Sequence, residues 1–142
     1  MSEVLASKRK ESKVEFIETA RKLEIMTITK VKHFPRRYSN FRKRLGDYSI
    51  NIYNNCKLAN SAFIKTEKDI EKREKYFLKA LDNLYILSSQ LDIVKELNLC
   101  GKTFTAYAWK SWFYYILQEI KLIKAVLESD KQRIEKKTGE SQ

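Results

Sequence analysis

The stretch PRRYSNFRKRLGDYSINIYNNCKLANSAF, from Pro35 to Phe63, decides how the rest of the chain is read. Within it Tyr38, Phe41, Leu45, Tyr48, Ile52, Ala59 and Phe63 recur at intervals built from threes and fours. That spacing draws a narrow apolar seam along one side of a helix, suited to packing in a bundle. Arg37, Arg44 and Asn51 step by seven along the opposite side, with Arg36, Lys43 and Lys57 beside them. One face belongs in a core and the other in water. Ser39 or Asn40 is placed to cap the start of this helix, and the seam fades at Lys65.

Pro35 closes the preceding segment, because the residue before a proline is pushed out of helical geometry. A first helix is predicted from Val14 to Lys32, where Phe16, Ala20, Leu23, Thr27, Val31 and Phe34 share a stripe with Ile17 and Ile28 alongside. After the seam, Thr66 followed by Asp69 forms a capping box for a third helix. Glu67, Asp69 and Glu71 suit the positive end of its dipole. Phe77, Leu81, Leu84, Leu91, Val94 and Leu97 give its core stripe, and Gly101 is placed as a left-handed residue beyond its end. A fourth helix is predicted from Thr103 to Lys136, with Lys131, Arg133, Lys136 and Lys137 at its negative end. Short links between four helices imply an all-α fold, an antiparallel up-down-up-down four-helix bundle. Its expected extent is 14–137, between a basic flexible tail at 1–13 that lacks an apolar face and a flexible tail at 138–142.

Composition agrees with that fold. Three glycines and one proline in 142 residues leave few breaks for a turn-rich sheet protein. No apolar window is long enough for a membrane span. The polar, basic start has no apolar core of the kind a secretory signal needs. Cys56 and Cys100 stand far apart with no companion ligands, as free buried thiols in a reducing cytoplasm do. A cytoplasmic protein is expected.

Catalytic patterns are scarce. There is no Gly-rich phosphate loop, no paired-histidine zinc motif and no Cys/His cluster with metal spacing. His33 has no acidic orienting group near it in sequence. Glu67, Asp69, Glu71 and Glu74 interleave with Lys68, Lys72, Arg73 and Lys75, the pattern of a solvated, salt-bridged helix face. Glu119 is the carboxylate to single out. It falls on the same side as Trp112 and Ile116, partly buried, and an ion pair with an Arg or Lys of another helix is its ordinary explanation. No enzyme, metal or cofactor is expected.

Charge is distributed less evenly. The formal net charge is +11. Between Glu24 and Asp47 no acidic residue occurs, while Lys30, Lys32, Arg36, Arg37, Arg42, Lys43 and Arg44 do. Such a concentration of cations attracts a polyanion, and these seven residues are the candidate nucleic-acid-binding set. Tyr38 and Phe41 could stack on exposed bases, although both also fit the core seam. The stretch from Phe104 to Leu117 is apolar on all sides, and helix three is similar near Leu84 to Leu87. A helix of that kind buries all its sides. Homo-oligomerisation through helices three and four is therefore expected, with Trp109, Phe113, Tyr114 and Leu117 at the contact.

The order of features resembles a known family. A first helix ends in Phe34-Pro35; Arg36-Arg37-Tyr38-Ser39-Asn40-Phe41 opens a long second helix that continues Arg44-Leu45-Gly46; a charged third helix follows; the fourth contains Glu119-Ile120. From Phe16 to Leu127 this is similar to the Avd-like four-helix bundle proteins, the accessory variability determinants of diversity-generating retroelements. Those are kin to four-helix bundle proteins encoded in ribosomal RNA intervening sequences. The resemblance implies a homopentamer with a positive surface that binds RNA or DNA and associates with the element's reverse transcriptase. It supports mutagenic cDNA synthesis without being the catalyst. The alternative is a structural or ribosome-associated bundle of the intervening-sequence type with no polymerase partner. Where many relatives place a glycine after the Glu-Ile pair and a tryptophan further on, this chain has Lys121 and no tryptophan beyond Trp112.

Overall fold

The computed structural model describes residues 2–62, 64–102 and 104–140, with side chains described from 15 to 136 within those spans. Phe63 of the predicted seam and Thr103 of the predicted fourth helix lie outside the described residues, as do Met1, Ser141 and Gln142. The elements are α1 (Ser2–Val31), a 3-10 turn (Arg36–Tyr38), α2 (Ser39–Ser61), α3 (Glu67–Glu96) and α4 (Ala106–Glu140). Each helix packs on its neighbours in sequence, and α1 closes on α4. This is an all-α four-helix bundle with each helix antiparallel to the next.

Its core follows the spacing. Phe16, Ala20, Leu23, Thr27, Val31 and Phe34 are all buried, as are Leu45, Ile52 and Ala59 of the α2 seam. Phe16 and Phe77 meet edge to face across the bundle, ring centroids 5.2 Å apart. From α4, Trp112, Ile116 and Ile123 complete the interior. Trp112 donates its indole N–H to Thr27 Oγ1 at 3.1 Å, which satisfies two polar groups in an otherwise apolar layer.

The helix ends differ from expectation in instructive ways. α1 begins at Ser2, twelve positions before Val14, because Glu, Ala, Lys and Arg at 2–13 are good helix formers with no glycine or proline among them. Once the packed half is nucleated, extension needs no apolar stripe. α4 likewise continues past Lys136 to Glu140. Neither Ser39 nor Asn40 caps α2; Tyr38 holds that position with no side-chain hydrogen bond. The capping box of Thr66 and Asp69 is formed as predicted. Thr105 caps α4, its Oγ1 accepting from the Ala108 N–H at 3.1 Å.

At the end of α3 the left-handed residue is Asn98, with φ of 52°, three positions before Gly101. The Leu99 N–H reaches the Val94 carbonyl and the Asn98 N–H the Lys95 carbonyl, both at 3.1 Å. That is a Schellman closure, with buried Leu99 and Val94 as its apolar pair. Leu97, predicted in the core, is therefore turned out and exposed. Gly101 is also left-handed, with φ of 83°, but it serves the next turn.

Arg73, expected on the solvated face of α3, is buried instead. Its Nε donates to Asp130 Oδ2 of α4 at 2.6 Å, and another guanidinium nitrogen donates to the Ala59 carbonyl of α2 at 3.4 Å. The group also lies over the Phe77 ring, 5.0 Å from its centroid. Three helices thus converge on one cation. Asp130→Ala would leave that cation buried and unpaired, at an expected cost of about 3–5 kcal/mol. Urea unfolding followed by circular dichroism checks this. The double change Arg73→Met with Asp130→Leu is expected to recover most of the loss.

Candidate nucleic-acid interface

The interface is built where α1 hands over to α2. The Phe34 N–H bonds to the Val31 carbonyl at 3.1 Å and the Tyr38 N–H to the Pro35 carbonyl at 2.9 Å, so the chain reverses in two tight steps. Pro35 at φ −57° and ψ 148° separates them. Phe34 is buried, and Phe41 stacks on it with centroids 6.2 Å apart. These rings hold the elbow against the end of the bundle.

Lys32, Arg36, Arg37, Arg42, Lys43 and Arg44 are all exposed around this turn. The ion pairs among the described residues are Arg21 with Glu18, and Arg73 and Arg133 with Asp130. None involves the elbow. Neither the 3-10 turn nor α2 has an acidic residue in its first turn. The positive end of the α2 dipole is therefore reinforced by arginines rather than offset by carboxylates. Without a side-chain cap, its first amides also lack the side-chain oxygen acceptor that a cap supplies.

Lys30 is placed differently from the other six. It is half-buried, with its ammonium 4.7 Å from the Phe104 centroid and 5.9 Å from that of Trp112. Burial lowers its pKa from the ordinary lysine value, against an opposing influence from Cys100. It ties the end of α1 to the α3–α4 connection. His33 is exposed beside the elbow. Lys95, Lys102 and Lys110 are exposed at the same pole, since α3 ends and α4 begins there. They are too far apart in sequence to read as one group, and only the antiparallel topology gathers them.

Trp109, Phe113, Tyr114 and Leu117 do come together. With Lys95, Ala106 and Lys110 they line a groove of about 540 Å³ on the outside of the α3–α4 pair. Tyr114 is 59% exposed and Leu117 56%, while nearby Tyr107 reaches 80%. Trp109 and Phe113 are half-buried; the Phe104 ring lies edge-on to Trp109 at 4.7 Å, and Phe113 lies against Trp109 with centroids 6.4 Å apart. Tyr85, Ile86 and Ile93 of α3 add further exposed apolar surface.

No metal-binding group of three or more His, Cys, Asp or Glu occurs among the described residues, and none of their helices is long and apolar enough to cross a membrane. Cys56 and Cys100 are free and buried. Burial pushes the Cys100 thiol up to about 11. Glu119 is fully buried rather than partly so, and it has no cationic partner among the described residues: both carboxyl oxygens lack a hydrogen bond. The buried ion pair expected there is made by Asp130 instead. Comparison with known proteins found no matching family, no similar curated protein and no similar solved structure.

Burial, and secondarily the charge of Glu15, raises the Glu119 pKa to about 9. At neutral pH it is therefore a protonated acid. Below the ordinary carboxylate range, folded and unfolded chains both hold this proton and stability is unaffected. From there up to about 9 the folded chain keeps a proton that the unfolded chain releases. Stability then falls as pH rises, by about 1.4 kcal/mol per pH unit. Glu119→Gln removes the titration. In urea unfolding across that range, the variant is expected to gain steadily on the wild type as pH increases.

Proposed function

We propose that this chain is a homo-oligomeric, non-catalytic nucleic-acid-binding protein that acts as an accessory subunit to the reverse transcriptase of a diversity-generating retroelement. The observation that carries the binding reading is the elbow: exposed cations, no carboxylate partner among the described residues, and a helix N-terminus with neither acid nor side-chain cap. Arg36, Arg37, Arg42 and Arg44 are the forks for phosphate oxygens, and Lys32 and Lys43 add point charge. Phosphate contacts of this kind position a strand without reading its sequence. The polymerase partnership and RNA or DNA template follow from the resemblance of the Phe34-Pro35 elbow and the Glu119-Ile120 pair to the Avd-like proteins. In that setting the subunit holds template or hybrid while the polymerase performs the chemistry.

Reversal of Arg36, Arg37, Arg42 and Arg44 to glutamate is expected to weaken binding strongly while the bundle stays folded, its thermal midpoint no lower than the wild type's. For the wild type, log affinity falls linearly with log salt, and the variant loses about three to four from that slope. Fluorescence anisotropy with labelled oligonucleotides measures both. Undiminished binding by the folded variant refutes the assignment.

The α3–α4 groove supports self-association. Lys95 and Lys110 rim it, so two copies meeting groove to groove would oppose like charges. A different face of the neighbour avoids that opposition: the exposed Tyr85, Ile86 and Ile93 of α3 are accompanied by the carboxylates of Asp82 and Asp92 and by the Lys124 ammonium, 5.7 Å from the Tyr85 ring centroid. A head-to-tail contact of that type closes into a ring where the rotation between neighbours allows it, as in the pentamer the resemblance implies. Tyr114→Glu with Leu117→Glu is expected to reduce the mass seen by light scattering to a single subunit. A wild type that is already monomeric at micromolar concentration rules out the assembly.

A further inference from the structure

We propose that Tyr38 is a stacking platform for an unpaired base, so that the elbow binds single-stranded nucleic acid in preference to duplex. The inference rests on the phosphate-binding reading above and adds the strand state of the ligand. It starts from the α2 seam. Leu45, Ser49 and Ile52 are buried, whereas Phe41 and then Tyr38, at the start of the seam, are packed against the core but only half-buried. Phe41 is engaged by Phe34. Tyr38 has no ring partner among the described residues; what lies over it is the Arg37 guanidinium, 5.3 Å from its centroid.

The surroundings make this ring unusual. It is flat and partly open to solvent, with Arg36 and Arg37 before it in the turn and Arg42 one helical turn beyond. The backbone that carries it is fixed, since the Tyr38 N–H is bonded to the Pro35 carbonyl at 2.9 Å in the 3-10 turn, and the side chain packs against the core. A cationic surface with an aromatic ring in its midst matches the chemistry of a strand whose bases are free to stack and whose phosphates lie on either side. A duplex keeps its bases paired inside and presents only phosphates, which the arginines grip equally well. The ring therefore adds affinity for one strand state and the charges add it for both.

Anisotropy titrations with three labelled probes of equal phosphate number test this: a single strand, a duplex, and a single strand that is abasic throughout. For the wild type, the base-bearing strand is expected to bind more tightly than the abasic one. Tyr38→Leu is expected to weaken that strand alone, roughly 5- to 100-fold, with the other two probes unmoved. Tyr38→Phe, which keeps the ring, is expected to retain the preference. Equal wild-type affinity for the base-bearing and abasic strands overturns the proposal even if Tyr38→Leu does not fold. An equal loss on all three probes overturns it too, by making Tyr38 a purely structural residue. Failure of the arginine reversals to weaken any probe is a separate result, and it sinks the phosphate-binding reading beneath.

Discussion

Pro35 is the constraint on which the arrangement depends. It lacks an amide hydrogen and forbids helical geometry to Phe34, so α1 stops while its apolar stripe is still in register with the core. Phe34 is left buried at the turn, and Phe41 stacks on it from the far side. The reversal is therefore anchored by apolar contact. Arginine at a helix N-terminus is locally unfavourable by a few tenths of a kcal/mol or more. The α2 helix tolerates several because its stability comes from Leu45, Ile52, Cys56 and Ala59 in the core. Packing supplies the fold, and the charged turn is free to serve another purpose.

The interior treats its polar groups in three ways. Trp112 and Thr27 satisfy each other as neutral partners. Arg73 and Asp130 meet as a short ion pair, and the Ala59 carbonyl takes a further guanidinium hydrogen. Glu119 has no such company and holds its proton. The first two tie α4 to α1 and α3 and pin the register of the bundle. The third contributes no link at all, and its burial is a cost that grows with pH.

Much of the fold was legible because helical spacing reports burial directly. The five stripe positions of α1 and Phe34 beyond its end are buried as the pattern requires, and Thr66 with Asp69 closes the capping box. Less was legible at helix ends, where a single residue decides. The left-handed residue that closes α3 is Asn98 and not Gly101, and the earlier stop lets Leu99 be buried in the core that holds Val94. Helix extension over 2–13 followed from propensity rather than amphipathicity. The positive elbow could be read as a gap in the acidic residues, whereas Lys95 and Lys110 could not, since only topology brings them to that pole. Arg73 was hidden among alternating charges and its partner lies 57 positions away. Lys30 belonged to the same charge run as its neighbours, yet two aromatic rings hold it inward.

The chain's two tryptophans, Trp109 and Trp112, sit with ring centroids 6.0 Å apart at the elbow's pole of the bundle. Their near-ultraviolet emission accordingly samples one extremity of the molecule and not its whole. Lys30, in the last turn of α1, places its ammonium 5.9 Å from the Trp112 ring centroid, so events at the adjoining turn have an optical readout without any attached dye. The far extremity, where Arg73 meets Asp130, is silent in that channel, and local loosening there passes unseen unless a second spectroscopic signal is followed.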